Sequence, residues 1–173
     1  MTKNKGFTYY ELLIVIAIMS LMVGFISIGI GTYYRTNVNR AADGVESAIK
    51  SAKNNAVTRG TDNGWVNFYY KDHNVYSLVG PRITATNFDF SNQDWQKIAS
   101  GIDNIEFDTV DLNNGGICSL NFKQATGEFN GHDFPLGSTP GLHTPTYFRI
   151  RIDKGNSRAG VDVNVFGTVF INK

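Results

Sequence analysis

Few residues in this chain have the type and spacing that chemistry needs. His73, His132 and His143 are scattered and form no HExxH pair, so a zinc hydrolase site is not expected. His132-Asp133 falls in a glycine- and proline-rich stretch and reads as a solvated loop pair. Cys118 is the single cysteine, which excludes an intrachain disulfide. It alternates with Leu120 and Phe122, so the thiol is expected to be buried and inert. Asp111 with Asn113 and Asn114, and Asp89 with Ser91 and Asp94, offer hard oxygens to calcium. Neither set follows an EF-hand loop, and both read as turns, so no cofactor is expected. No phosphate-binding glycine loop occurs, and no enzyme is expected. Glu11 is different: it stands at the edge of a long uncharged run, where an ionised carboxylate is costly unless paired or able to reach the interface, and so marks a functional position or, alternatively, a helix-start acid favoured by the dipole.

The element that must carry Glu11 is the run itself. Residues 12–30 hold no charge and, as a helix, would span about 28 Å, close to the hydrocarbon thickness of a bilayer. Tyr33 and Tyr34 suit the membrane interface, and Arg35 lies beyond it. Lys3 and Lys5 favour a cytoplasmic N-terminus, which places the remainder outside. A cleavable secretory signal would have a shorter apolar region closed by a small-x-small site, which is absent here. A buried core helix is the alternative to a membrane span.

The residues Lys5-Gly6-Phe7-Thr8-Tyr9-Tyr10-Glu11-Leu12-Leu13 resemble the prepilin signature of type IV pilins and type II secretion pseudopilins. The resemblance implies a leader, residues 1–6, cut by a prepilin peptidase between Gly6 and Phe7, followed by N-methylation of Phe7. It also implies that Glu11, fifth in the mature chain, pairs with the N-terminal amine of a neighbouring subunit. Loss of Lys3 and Lys5 would leave 14 basic against 15 acidic residues, turning the formal charge from +1 to −1. Gly24, Gly29 and Gly31, with Ser20 and Ser27, would permit close helix approach, or are ordinary transmembrane content. The family's usual helix proline is missing, since Pro81 is the first proline.

Helical periodicity continues past the apolar run. Val38, Ala42, Val45, Ile49, Ala52 and Ala56 recur every three or four residues, and Gly60 follows Arg59 as a C-cap. Glu46 and Lys50 form a favourably oriented i,i+4 pair, and Gly44 is the weak point. Residues 7–34 are thus read as a transmembrane or filament-core helix and 35–59 as its amphipathic outer half.

Residues 60–173 form a globular domain of different character, with 13 of the 18 glycines and all four prolines. Residues 65–70 and 75–79 read as a hairpin. Alternation around Ile105, Cys118 and Phe148, and a single parity from Val161 to Ile171, predict an antiparallel sheet with one face buried. Residues 80–100 and 127–146 show no regular pattern. The expected fold class is therefore α+β, a long N-terminal helix whose outer half packs on an antiparallel sheet, which matches the pilin family. The strand region resembles minor pseudopilins of the GspH and FimU/FimT kind.

The implied function is a structural subunit, a minor pilin or pseudopilin, anchored by one span in the inner membrane with its C-terminal domain periplasmic or extracellular. The resemblance further implies as partners other pilins through their N-terminal helices, the prepilin peptidase, an inner-membrane assembly platform and, in secretion systems, the secreted substrate. A major pilin, a DNA-uptake or competence pilin and an adhesive pilin are the alternatives. DNA is a poor fit as a partner: residues 60–173 hold 9 basic and 12 acidic residues, and Asp153 and Asp162 interrupt the cluster of Arg149, Arg151, Lys154 and Arg158.

Overall fold

An apolar residue at every third or fourth position commits residues 38–56 to a helix with one buried face. The computed structural model describes residues 8–60, 64–91, 93–108, 110–112, 114–136 and 147–172, apart from the side chains of 27, 28 and 134–136. Helix α1 runs Tyr9–Arg59. Gly60 follows at φ 96°, the left-handed conformation of a C-cap glycine. The chain divides into two compact units, one ending at Tyr33 and one running from Tyr34 to Lys173.

In the second unit the helix stripe is fully sequestered. Val38, Ala42, Val45, Ile49, Ala52 and Ala56 are all buried, joined by Ala41 and Ala48. Each Val or Ile so buried stabilises the unit by about 1.5–3 kcal/mol. The small residues let strands approach closely. A side chain on Gly44 would sit 3.1 Å from Ile98 Cβ, so glycine there admits a strand rather than weakening the helix. Lys53 Nζ reaches across to the carbonyls of Phe166 and Gly167 at 3.2 and 3.1 Å.

Among the described residues ten strands follow the helix: β1 (Trp65–Lys71), β2 (Asn74–Gly80), β3 (Gln96–Ser100), β4 (Asn104–Phe107), β5 (Val110–Asp111), β6 (Ile117–Phe122), β7 (Phe129–Leu136), β8 (Tyr147–Lys154), β9 (Ser157–Asn164) and β10 (Val169–Asn172). They divide into two antiparallel sheets, ordered β3-β2-β1-β6-β7 and β10-β9-β8-β4-β5. The α+β architecture is as expected, but the alternation patterns do not reveal the partition into two sheets. Phe68 of the first sheet lies 5.5 Å from Phe107 of the second, ring to ring, within a core shared with the helix stripe.

Three local expectations are corrected. The single parity from Val161 to Ile171 is shared by two strands, the β9–β10 hairpin. Asn164 Oδ1 accepts from the amides of Phe166 and Thr168, and Val163 pairs with Val169, so the turn preserves the alternation that suggested continuity. The patternless stretches contain β3 and β7. Finally, the first sheet is buried on both faces. Ile83, Phe88, Phe90 and Trp95 lay an apolar cover over Tyr69 and Ile117, away from the helix. Fully buried Asn67 ties this cover down: its Nδ2 donates to the carbonyls of Leu78 and Pro81, and its Oδ1 accepts from Ile83 N and Ser119 Oγ.

The β1–β2 hairpin has the expected place. Lys71 pairs with Asn74, leaving Asp72 and His73 as turn residues at φ 50° and 60°. That double positive φ is the type I′ geometry that matches strand twist.

Candidate assembly helix

A helix start leaves four amide donors without intrahelical acceptors, and the sequence supplies a side-chain solution. Thr8 and Glu11 form a reciprocal capping box. Thr8 N and Thr8 Oγ1 each donate to Glu11 Oε2 at 2.8 Å, and Glu11 N donates to Thr8 Oγ1 at 3.3 Å. Among the described residues Glu11 Oε1 takes no bond, so the carboxylate retains acceptor capacity while held at the helix start. Gly6 and Phe7 lie outside the described residues. Thr8 carries no weight in the sequence expectations, although the Thr-x-x-Glu spacing is itself the signal of this cap.

Beyond the cap, every side chain described from Tyr9 to Tyr33 is exposed, including Tyr10 at 77% and Phe25 at 74%. Among the described residues this is the one helix long and apolar enough to cross a membrane, by length and composition. An apolar surface on all sides has no stable place in water; it requires lipid or other helices. Gly24, Gly29 and Gly31 have open space where a side chain would stand. Ser20 Oγ donates back to the Ile16 carbonyl at 2.8 Å, which hides its polarity within the helix. Tyr34 differs from Tyr33: its ring packs over Gly155 and lies 5.6 Å from Lys154 Nζ.

The other candidate groups are committed elsewhere. Cys118 is buried on β6, and desolvation, with a smaller effect from Asp133, pushes its thiol well up. His132 is not a solvated loop residue: it lies buried on β7 with its ring 4.7 Å from that of Phe148, and Asp133 instead pairs with Arg82. His73 Nδ1 meets the Ile102 carbonyl at 3.1 Å, and His143 lies outside the described residues. Asp111 accepts from Asn104, Asn114 bonds the Asp72 amide, and Asp89 accepts from Ser91 N, all as turn contacts; Asn113 lies outside the described residues. Among the described residues no three His, Cys, Asp or Glu groups converge. The basic cluster is neutralised pair by pair: Arg149 with Asp162, Arg151 with Glu106 and Arg158 with Asp153.

The class defined by these features is a pilin-like one in general form: a long N-terminal helix, bare and apolar in its first part, packed in its second against antiparallel sheets. No family model, curated protein or solved structure matches the chain.

Proposed function

We propose that this chain is a structural subunit, a minor pilin or pseudopilin, of a type IV pilus or type II secretion pseudopilus, assembled through residues 7–34. The observation that carries the reading is a helix exposed and apolar on every side from Tyr9 to Tyr33, whose single charge, Glu11, sits in its first turn. Lipid satisfies that surface before assembly, and neighbouring helices satisfy it afterwards. Cleavage after Gly6 would place a new amine on Phe7, four residues before Glu11. A neighbour's amine then competes with Thr8 for the Glu11 carboxylate. In an apolar surround, each charge is expensive alone, so the pair fixes register and direction.

Two measurements test this. The intact mass of membrane-extracted protein is expected to match a chain beginning at methylated Phe7; a retained leader contradicts the proposal. Glu11→Ala is expected to abolish or sharply reduce filament incorporation while the strand unit keeps its circular dichroism. Undiminished incorporation of the folded variant would remove Glu11 from assembly.

A further inference from the structure

Between the second part of α1 and the edge of the first sheet lies a cavity of about 520 Å³. A smaller one of about 170 Å³ shares Ser51, Ser77, Val79 and Gln96 with it and extends towards Gly44. Together they arise because β3 pairs with β2 only as far as Ser77↔Gln96, after which the two chains diverge. Helix residues Ser47, Ser51 and Asn55, spaced i, i+4, i+8, form the opposite wall.

The lining is made for hydrogen bonding. Ser77 is only 4% exposed, projects from β2 into both cavities, and has no hydrogen-bond partner among the described residues. Its hydroxyl opens into the groove and so stays available to whatever enters. Ser51, Asn55, Asp94 and Gln96 are likewise uncommitted among the described residues, whereas Gln93 is engaged by Trp95 and Asn87. The groove therefore offers two amides that both donate and accept, three hydroxyls and one carboxylate.

This composition selects a chemical class. No cation lines either cavity, which disfavours phosphate and carboxylate ligands. Apolar contact is limited to shallow surfaces such as Val79 and Pro81, with no deep aromatic pocket for a peptide side chain. Pro81 has no amide donor and follows β2 directly, so an added peptide strand would find little edge to pair with. Closely spaced amides, hydroxyls and a carboxylate do match the alternating donors and acceptors of vicinal hydroxyls. The volume lies within the roughly 300–1,000 Å³ of small-molecule sites. We infer that this groove binds a neutral saccharide, with Ser77 at its floor and Asn55, Asp94 and Gln96 around its rim.

The test uses the full chain, isotope-labelled, in lauryldimethylamine oxide micelles, whose headgroup carries no sugar. Cellobiose, maltose, lactose and diacetylchitobiose are titrated separately, with glycerol and a tetra-alanine peptide as controls. At least one disaccharide is expected to give saturable amide shifts at Ser51, Asn55, Ser77 and Gln96 that glycerol does not. Asn55→Ala and Gln96→Ala, both at accessible positions, are expected to keep the parent spectrum and weaken that binding roughly tenfold. Absence of saturable shifts with all four sugars would overturn the inference. So would the parent's affinity retained in both variants, or occupation by the peptide alone.

Discussion

Residues 9–33 and 34–59 belong to one helix, yet they solve opposite problems. The first part carries large side chains, Leu, Ile, Met and Phe, on every side, and none of those described is buried. The second gathers its apolar residues, Val57 apart, into one stripe, mostly Ala and Val, and buries that stripe. Helix propensity does not separate them, because Ile and Val are no better helix formers than the polar residues that replace them. The separation lies in what each surface is complementary to. Large residues all round suit a partner that can approach from any direction, lipid or other helices. A narrow stripe of small residues suits one fixed partner at close range, here the strands of the same chain.

The sharpest way to break this contrast is to make one cut in each part. Ile49→Ala is expected to destabilise the strand unit by about 2–5 kcal/mol, because the cavity left among buried neighbours cannot collapse. Ile18→Ala is expected to leave that unit unchanged, since Ile18 is 51% exposed and belongs to the first unit. Urea unfolding of the full chain in micelles, followed by tryptophan fluorescence, reads this directly, because Trp65 and Trp95 both lie in the second unit. Equal losses from both variants would mean that the two parts are not energetically distinct.

Adding a methyl group sharpens the contrast from the other side. A Cβ on Gly64 would lie 2.7 Å from Ala56 Cβ and 2.8 Å from the Phe122 carbonyl, and neither can step aside easily. Gly64→Ala is therefore expected to cost about 1–3 kcal/mol in the same unfolding measurement. Gly24→Ala meets nothing within 4 Å and should leave the unfolding midpoint where it was. A shift in the Gly24→Ala midpoint would show that the first part already leans on the second unit.

What could be read from residues alone follows the same division. The stripe was legible because Val38 to Ala56 repeat at helical spacing and face one partner. Gly60 was legible as a cap because a left-handed residue there favours glycine. β7 was not, because Gly131 and Pro135 break its alternation; as the edge strand of its sheet it tolerates a proline that a central strand would not. The double burial of the first sheet was hidden because Phe88, Phe90 and Trp95 belong to a segment without regular pattern and act through packing. At the candidate site, Glu11 stood out as a charge beside an apolar run, but its local partner Thr8 did not. The groove depends on where β3 leaves β2, a divergence that no local pattern encodes.

The two sheets extend the comparison to charge. The first is covered on its outer face by aromatics; the second presents ion pairs, of which Arg149–Asp162 has the most buried carboxylate. The Asp162 side chain is 5% exposed, accepts from Arg149 Nε at 2.8 Å and from Asn172 Nδ2 at 2.5 Å, and so joins β8, β9 and β10. Burial alone would raise its carboxyl pKa. The hydrogen bonds from Arg149 and Tyr147, the Arg149 charge and Asn172 outweigh this and hold it below the usual range. A depressed carboxylate contributes stability above its unfolded pKa, about 4, and loses it as pH falls through the lower folded value. Asp162→Asn is expected to cost about 1 kcal/mol at neutral pH, moderated because Arg149 is 46% exposed. The gap between variant and parent midpoints should close below about pH 4. A gap constant down to about pH 2 would show that Asp162 acts by shape rather than charge.

The smallest effect tests the polar side of the helix. Glu46 and Lys50 stand 2.8 Å apart at i,i+4, in the favourable order, on the face opposite the stripe. Lys50 is 63% exposed, so water and salt screen the attraction and the lysine chain gives up entropy to hold one geometry. Glu46→Gln should therefore shift stability by no more than about 0.5 kcal/mol, and raising the salt concentration should erase even that. The small value matters for the comparison, because the burial of Val38, Val45 and Ile49 is expected to outweigh this pair several-fold. If Glu46→Gln costs as much as Ile49→Ala, charge on the open face rather than packing on the closed one holds residues 34–59 to the sheets.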